Sequence, residues 1–154
     1  MLLFYHDRFS IHEAVVGPWG GSGGRPWDDN SHTGINTIYL SHGDCIGSFQ
    51  VIYRNPYSQP IIGVKHQCGA DGFKDETIDL GVGEVIVKVS GYFGSARQHT
   101  VVRSLTFTTN RRTYGPYGKQ EGEHFDFPIQ RGVIVGFFGA TGDVLDSIGF
   151  NLSC

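Results

Sequence analysis

Runs of β-branched and aromatic residues recur along this chain, each closed by glycine, asparagine, aspartate or proline: Ile35 to Leu40, Gly47 to Tyr53, Glu84 to Phe93, Thr100 to Thr108, Val133 to Phe138 and Leu145 to Leu152. Short runs of this composition between turn formers read as strands. Within 84–92, Val85, Val87 and Val89 alternate with Glu84, Lys88 and Ser90, the period of a strand with one buried face; only Ile86 breaks it. Ile11 to Val16 is a candidate first strand. No stretch of about a dozen residues carries apolar positions at helical spacing without a glycine or proline inside it, so a long amphipathic helix has nowhere to form. The pattern predicts an all-β, antiparallel fold, closed or layered to manage its edge strands.

Glycine groups punctuate the runs at rather even intervals: "GPWGGSGG" (17–24), "GADGF" (69–73), "GYFG" (91–94), "GPYG" (115–118) and "GATG" (139–142). Even spacing fits a repeated hairpin architecture, although the flanking side chains repeat poorly. With 154 residues the chain holds one domain's worth of core. Residues 1–11 are charged, lack glycine and show no clear period, so they read as an N-terminal extension or linker, and 12–154 as the domain.

Composition narrows the function. The net charge is −3 and the cations are scattered except for Arg111 and Arg112, so no basic stripe exists to neutralise phosphates and nucleic acid is not an expected partner. Cys45, Cys68 and Cys154 form no C-x-x-C pattern, which argues against a disulfide framework or zinc site and fits a reducing compartment. Leu2, Leu3 and Phe4 are too short an apolar run for a signal peptide or membrane span, so the expected location is cytoplasmic or nucleocytoplasmic, without membrane insertion. The sequon Asn151-Leu152-Ser153, at the extreme C-terminus, reads as chance.

Catalytic and metal chemistry find little support. Histidines at 6, 12, 32, 42, 66, 99 and 124 never stand two or four residues apart, so neither a metal nor a cofactor is expected, and "DGFKDE" (71–76) reads as a polar turn. There is no G-x-S-x-G. Asp143 and Asp146 resemble an acid/base pair only in being carboxylates: both fall on one polar glycine tip, where nothing pushes their environments apart. Trp19, Trp27 and Tyr117 read as core or turn clamps and leave Tyr92 open as a sugar-stacking candidate. The tip itself, Gly142-Asp143-Val144-Leu145-Asp146, offers main-chain N–H groups beside a carboxylate that accepts two hydrogen bonds, a cradle suited to vicinal sugar hydroxyls. A plain hairpin turn with incidental aspartates accounts for the same residues, and the loop alone leaves both readings open.

Three segments together change that balance: "VVGPWGGSGGRPWDD" (15–29), "VVRSLTFTTNRRTYGPYG" (101–118) and "GVIVGFFGATGDVLDSIG" (132–149). In order and approximate spacing they resemble the jacalin-related lectins of plants, over roughly residues 12–153. The resemblance implies a β-prism, three four-stranded Greek-key sheets with pseudo-threefold symmetry. It implies a monosaccharide site in which Gly142, Asp143, Val144, Leu145 and Asp146 form a G-x-x-x-D loop facing Gly24. Asp146 would accept from the sugar O4 and O6 hydroxyls, the N–H groups of Asp143 and Val144 would donate to O5 and O6, and Gly24 would donate to O3 or O4. The segment Gly94 to His99, with Ser95, Arg97 and Gln98, would form a third wall. Galactose binders of the family carry aromatics in the loop and are cleaved ahead of the partner glycine; Asp143 and Val144 here, on an intact chain, point to mannose or glucose. Neither "YRNPYSQP" (53–60) nor "SHGDC" (41–45) completes a second loop of this kind, so one site per chain is expected.

The expected function is a non-catalytic lectin for mannose- or glucose-containing glycans, working as a homodimer or higher homo-oligomer because one shallow site binds weakly. Two readings compete with it. One is a lectin-like protein-interaction module of a larger protein, with weak or absent sugar binding; the other is a small glycosidase using Asp143 and Asp146.

Overall fold

Each long apolar run pairs with the next across a tight turn, and these hairpins are the frame of the molecule. The computed structural model describes residues 13–66 and 71–153, so the expected N-terminal extension, Cys68 and Cys154 lie outside the described residues. The strands are β1 Glu13–Gly20, β2 Arg25–Asp28, β3 Gly34–His42, β4 Ile46–Arg54, β5 Pro60–Ile62, β6 Lys74–Asp79, β7 Ile86–Ala96, β8 His99–Thr109, β9 Thr113–Gly118, β10 Glu123–Pro128, β11 Val133–Thr141 and β12 Leu145–Ser153. No helix occurs among the described residues.

The strands form three four-stranded antiparallel sheets, ordered β5-β4-β3-β6, β10-β7-β8-β9 and β1-β12-β11-β2. Each sheet is one central hairpin with an outer strand on either side, the Greek-key order. The third sheet repeats that order only because both ends of the domain meet in it: β1 pairs with β12 and β2 with β11. The fold is the all-β prism.

The core lies where the three sheets face one another. Phe49 of β4, Phe107 of β8 and Phe137 of β11 are fully buried, with ring centroids 5.1 Å apart for Phe49 and Phe137 and 6.4 Å for Phe107 and Phe137, both edge-on. Trp19 stacks on Phe125 at 4.5 Å, and Trp27 and Tyr117 also pack against the core, as turn-clamping aromatics do. Tyr92 is half-buried beside His124.

Two local expectations need correcting. Ile86 pairs with Thr109 and Lys88 with Thr108, so Val87 is an extra residue in the ladder. This bulge reverses the alternation: Ile86 and Val89 face the core, while Val85 is exposed. The stretch "DGFKDE" turns only at Asp71 and Gly72; Lys74 onward is β6, held by pairing with β3, and Phe73 packs into a small apolar cluster.

Candidate functional site

Three hairpin turns meet at one end of the molecule. They join β3 to β4 (43–45), β7 to β8 (97–98) and β11 to β12 (142–144). Cys45, Val101 and Val144, one from each of these hairpins, form a buried cluster that ties the ends together. Burial, with the Asp44 charge beside it, pushes the Cys45 thiol up to about 11.

Glycine conformation lets the termini close around this end. Gly21 N–H donates to the Asp146 carbonyl at 2.9 Å, bringing the β1–β2 connection against β12. Gly24 has φ +82°, and a Cβ built there would lie 2.6 Å from Asp146 Oδ1, so any side chain at 24 would displace the carboxylate.

Asp146 is 5% exposed. It is the second residue of β12 and not part of the glycine tip, as the sequence reading had it; its side chain turns back beneath the tip, where Oδ1 accepts the Gly142 N–H at 2.8 Å. A carboxylate has about four lone-pair directions. Among the described residues this is the one hydrogen bond its side chain makes, so acceptor capacity remains toward the neighbouring cavity. Nor do the N–H groups of Asp143 and Val144 donate to an acceptor among the described residues. The Val144 side chain is buried under the turn while Asp143 is exposed.

These groups surround a cavity of about 230 Å³, walled by Gly24, Gly142, Asp143, Val144 and Asp146 on one side and by Arg97 and His99 on the other. Gly23 and Val101 complete it. Neither was singled out from sequence: Gly23 was visible only as one of a glycine run, and Val101 carries no signal distinguishing it from other strand valines. Leu145, within the motif, is fully buried in the main core and does not reach the cavity. Gly94, Ser95 and Gln98 do not line it either: Gly94 and Ser95 belong to β7, where the Ser95 carbonyl accepts from Arg103 at 2.6 Å, and Gln98 is at the hairpin tip.

Arg97 is held away from full mobility by Asp44, to which it donates at 3.1 Å, and lies 5.2 Å from the Phe73 ring centroid. Partial burial works to raise the Asp44 carboxyl, but the hydrogen bond and charge of Arg97 outweigh it and hold the group below the usual carboxylate range. The arrangement offers a fixed carboxylate, main-chain donors and a glycine-thin wall, a set that recognises hydroxyls. Among the described residues no group of His, Cys, Asp and Glu is placed to hold a metal ion.

Residues 16–151 match the family described as the jacalin-like lectin domain. The chain belongs to that family. The lectin is 47% identical over 144 residues to a galactose-specific lectin of Morus indica, an alignment covering 90% of this chain and 91% of the relative. Its fold superposes with a TM-score of 0.90 on a mannose-specific jacalin-related lectin from Morus nigra in complex with mannose, at 48% identity, covering 97% of this chain and 100% of the other. The artocarpin–mannotriose complex gives a TM-score of 0.87 at 49% identity, covering 92% of this chain and 97% of that one. The cavity just described is therefore set in a lectin fold.

Proposed function

We propose that the chain is a non-catalytic lectin that binds a terminal mannose or glucose residue in the cavity between Gly24 and the Gly142–Asp146 segment. The observation that carries this reading is the convergence on that cavity of a buried carboxylate with spare acceptor capacity and of the Asp143 and Val144 N–H groups. Asp146 accepts from O4 and O6, the two N–H groups donate to O5 and O6, and Gly24 donates to O3 or O4. Among the described residues no Phe, Tyr or Trp lines the cavity, so the apolar face of a galactose ring has no benzenoid or indole plate to stack on. The mannose and mannotriose complexes of similar lectins support the same choice, while the galactose specificity in the name of the Morus indica relative makes it worth testing directly.

Hydrolysis of a glycoside needs two carboxyls on opposite sides of the bond. Here Asp146 is buried beneath the turn and Asp143 stands exposed on top of it, which favours holding a sugar over cleaving one. One shallow cavity of this kind gives weak affinity, and we infer that the lectin acts as a homo-oligomer presenting two or more sites to glycans.

Calorimetric titration with methyl α-mannoside tests the site. Asp146→Asn keeps the side-chain shape and an oxygen for Gly142 N–H but removes the charge. Exchanging charged for neutral hydrogen bonds to two sugar hydroxyls weakens binding by about 1–3 kcal/mol, roughly fivefold to 150-fold. Equal affinity in both proteins would remove Asp146 from the site.

A further inference from the structure

On the far side of Gly142 a second and larger hollow opens, about 640 Å³, between the outer edge of β2–β11 and the segment 64–66 that follows β5. Arg25, Trp27, Lys65, His66 and Thr141 line it, and Gly142 is the wall it shares with the sugar cavity. Its floor is fixed. Trp27 Nε1 donates to Thr141 Oγ1 at 2.7 Å, the Trp27 ring stacks on His66 at 3.7 Å, and His66 Nε2 is bonded to the Asp29 carboxylate at 2.7 Å.

The two exposed cations that line this hollow, Arg25 and Lys65, are unlike almost all the others. Among the described residues Arg25 and Lys65 make no ion pair or hydrogen bond, and no carboxylate lines the hollow. Every other described lysine and arginine except Arg131 is paired with a carboxylate or bonded to a main-chain carbonyl. The chain carries a net charge of −3, so this concentration of unpaired positive charge is local and not a property of a basic surface.

We propose that the hollow is an anion subsite, taking a sulfate, phosphate or uronate group borne by a glycan, next to the sugar in the Gly24–Asp146 cavity. A guanidinium fork and an ammonium facing one concavity match the oxygens of such groups, and both donate charge-assisted hydrogen bonds. Gly142 has no side chain to separate the two cavities, so one oligosaccharide passes from one to the other. The mannose reading fixes only what occupies the neighbouring cavity; the anion chemistry rests on Arg25 and Lys65.

The test compares the wild-type protein with the double variant Arg25→Ala/Lys65→Ala and with the charge-retaining Arg25→Lys/Lys65→Arg. The probes are methyl α-mannoside, a heparin-derived tetrasaccharide, trigalacturonate and a phosphorylated mannopentaose, titrated at low and high NaCl. At low salt the wild-type protein binds at least one anionic probe, and the alanine variant binds it at least about tenfold more weakly, the loss of one to two charged contacts. The charge-retaining variant recovers most of that affinity, raised salt abolishes the difference, and methyl α-mannoside binds all three proteins alike. The probe that is held identifies the anion. No wild-type binding of any anionic probe, or equal binding by wild type and alanine variant, overturns the proposal. Discrimination among anionic probes without any heat from methyl α-mannoside would leave the subsite standing and remove the mannose reading instead.

Discussion

At the scale of single residues, this molecule places charge where the backbone can hold it. Asp146 is the example at the proposed sugar cavity, and Glu84, at the opposite end of the strands, is the structural counterpart. Glu84 is 3% exposed; its carboxylate accepts from Gly81 N–H at 3.0 Å, Thr109 Oγ1 at 2.7 Å and Tyr114 OH at 2.9 Å. The Gly81 N–H, helped by the two hydroxyls and by Arg112, overcomes the cost of burial and holds the carboxyl below its ordinary value. A folded-state pKa below the unfolded one gives stability that is full above the unfolded value and is lost as pH falls through the folded one. Glu84→Gln is therefore less stable than wild type by about 1–2 kcal/mol at neutral pH, and the gap narrows in acid. Urea unfolding at neutral pH and below the carboxylate range checks it; a gap that widens in acid contradicts the assignment. Of these residues, Asp146 was legible in sequence through its motif. The role of Glu84 was not, because only Gly81 is local, while the two hydroxyl partners, Thr109 and Tyr114, stand 25 and 30 residues away and no local pattern marks them.

At the scale of elements, what the sequence made visible was the middle of each sheet. The apolar runs correspond to β3, β4, β7, β8, β11 and β12, the central pair of every sheet, which are long and buried. Apart from β1, whose start lay near the candidate run at Ile11 to Val16, the outer strands escaped notice. They are short or carry prolines, such as Pro60 in β5, Pro26 in β2 and Pro116 in β9, and proline is tolerated on an edge where no ladder bond is needed. The hairpin between β7 and β8 closes through only Arg97 and Gln98, with φ of 53° and 69°. Two positive φ values in a two-residue loop are the signature of a type I′ turn, which favours Asn-Gly and costs other residues strain. Gln98 does not line the cavity beside Asp146, so Gln98→Gly is expected to raise stability by roughly 0.5–1 kcal/mol without changing mannoside affinity. Denaturant midpoints and calorimetry together read both; an unchanged or lowered midpoint would show that the turn is not strained.

At the scale of the whole molecule, three sheets of identical order pack around one core, and the third can be completed only by joining both ends of the domain. No periodicity along the chain announces that closure, and it is the closure that brings Gly24 to Asp146. Composition and spacing alone thus reached an all-β fold, and it took the resemblance to lectins to join the glycine run near one end with the aspartate near the other. On the proposed function one cavity takes one sugar, and linked sites multiply weak affinities. Sedimentation at micromolar protein is accordingly expected to show a dimer or larger assembly, and a monomer at that concentration would contradict the homo-oligomer. The most direct test of the whole account is titration of the wild-type lectin with methyl α-mannoside and methyl α-galactoside side by side. Heat from the mannoside with little or none from the galactoside is the predicted result. Preferential binding of the galactoside, or heat from neither, would contradict a mannose site built by Gly24 and the Gly142–Asp146 segment.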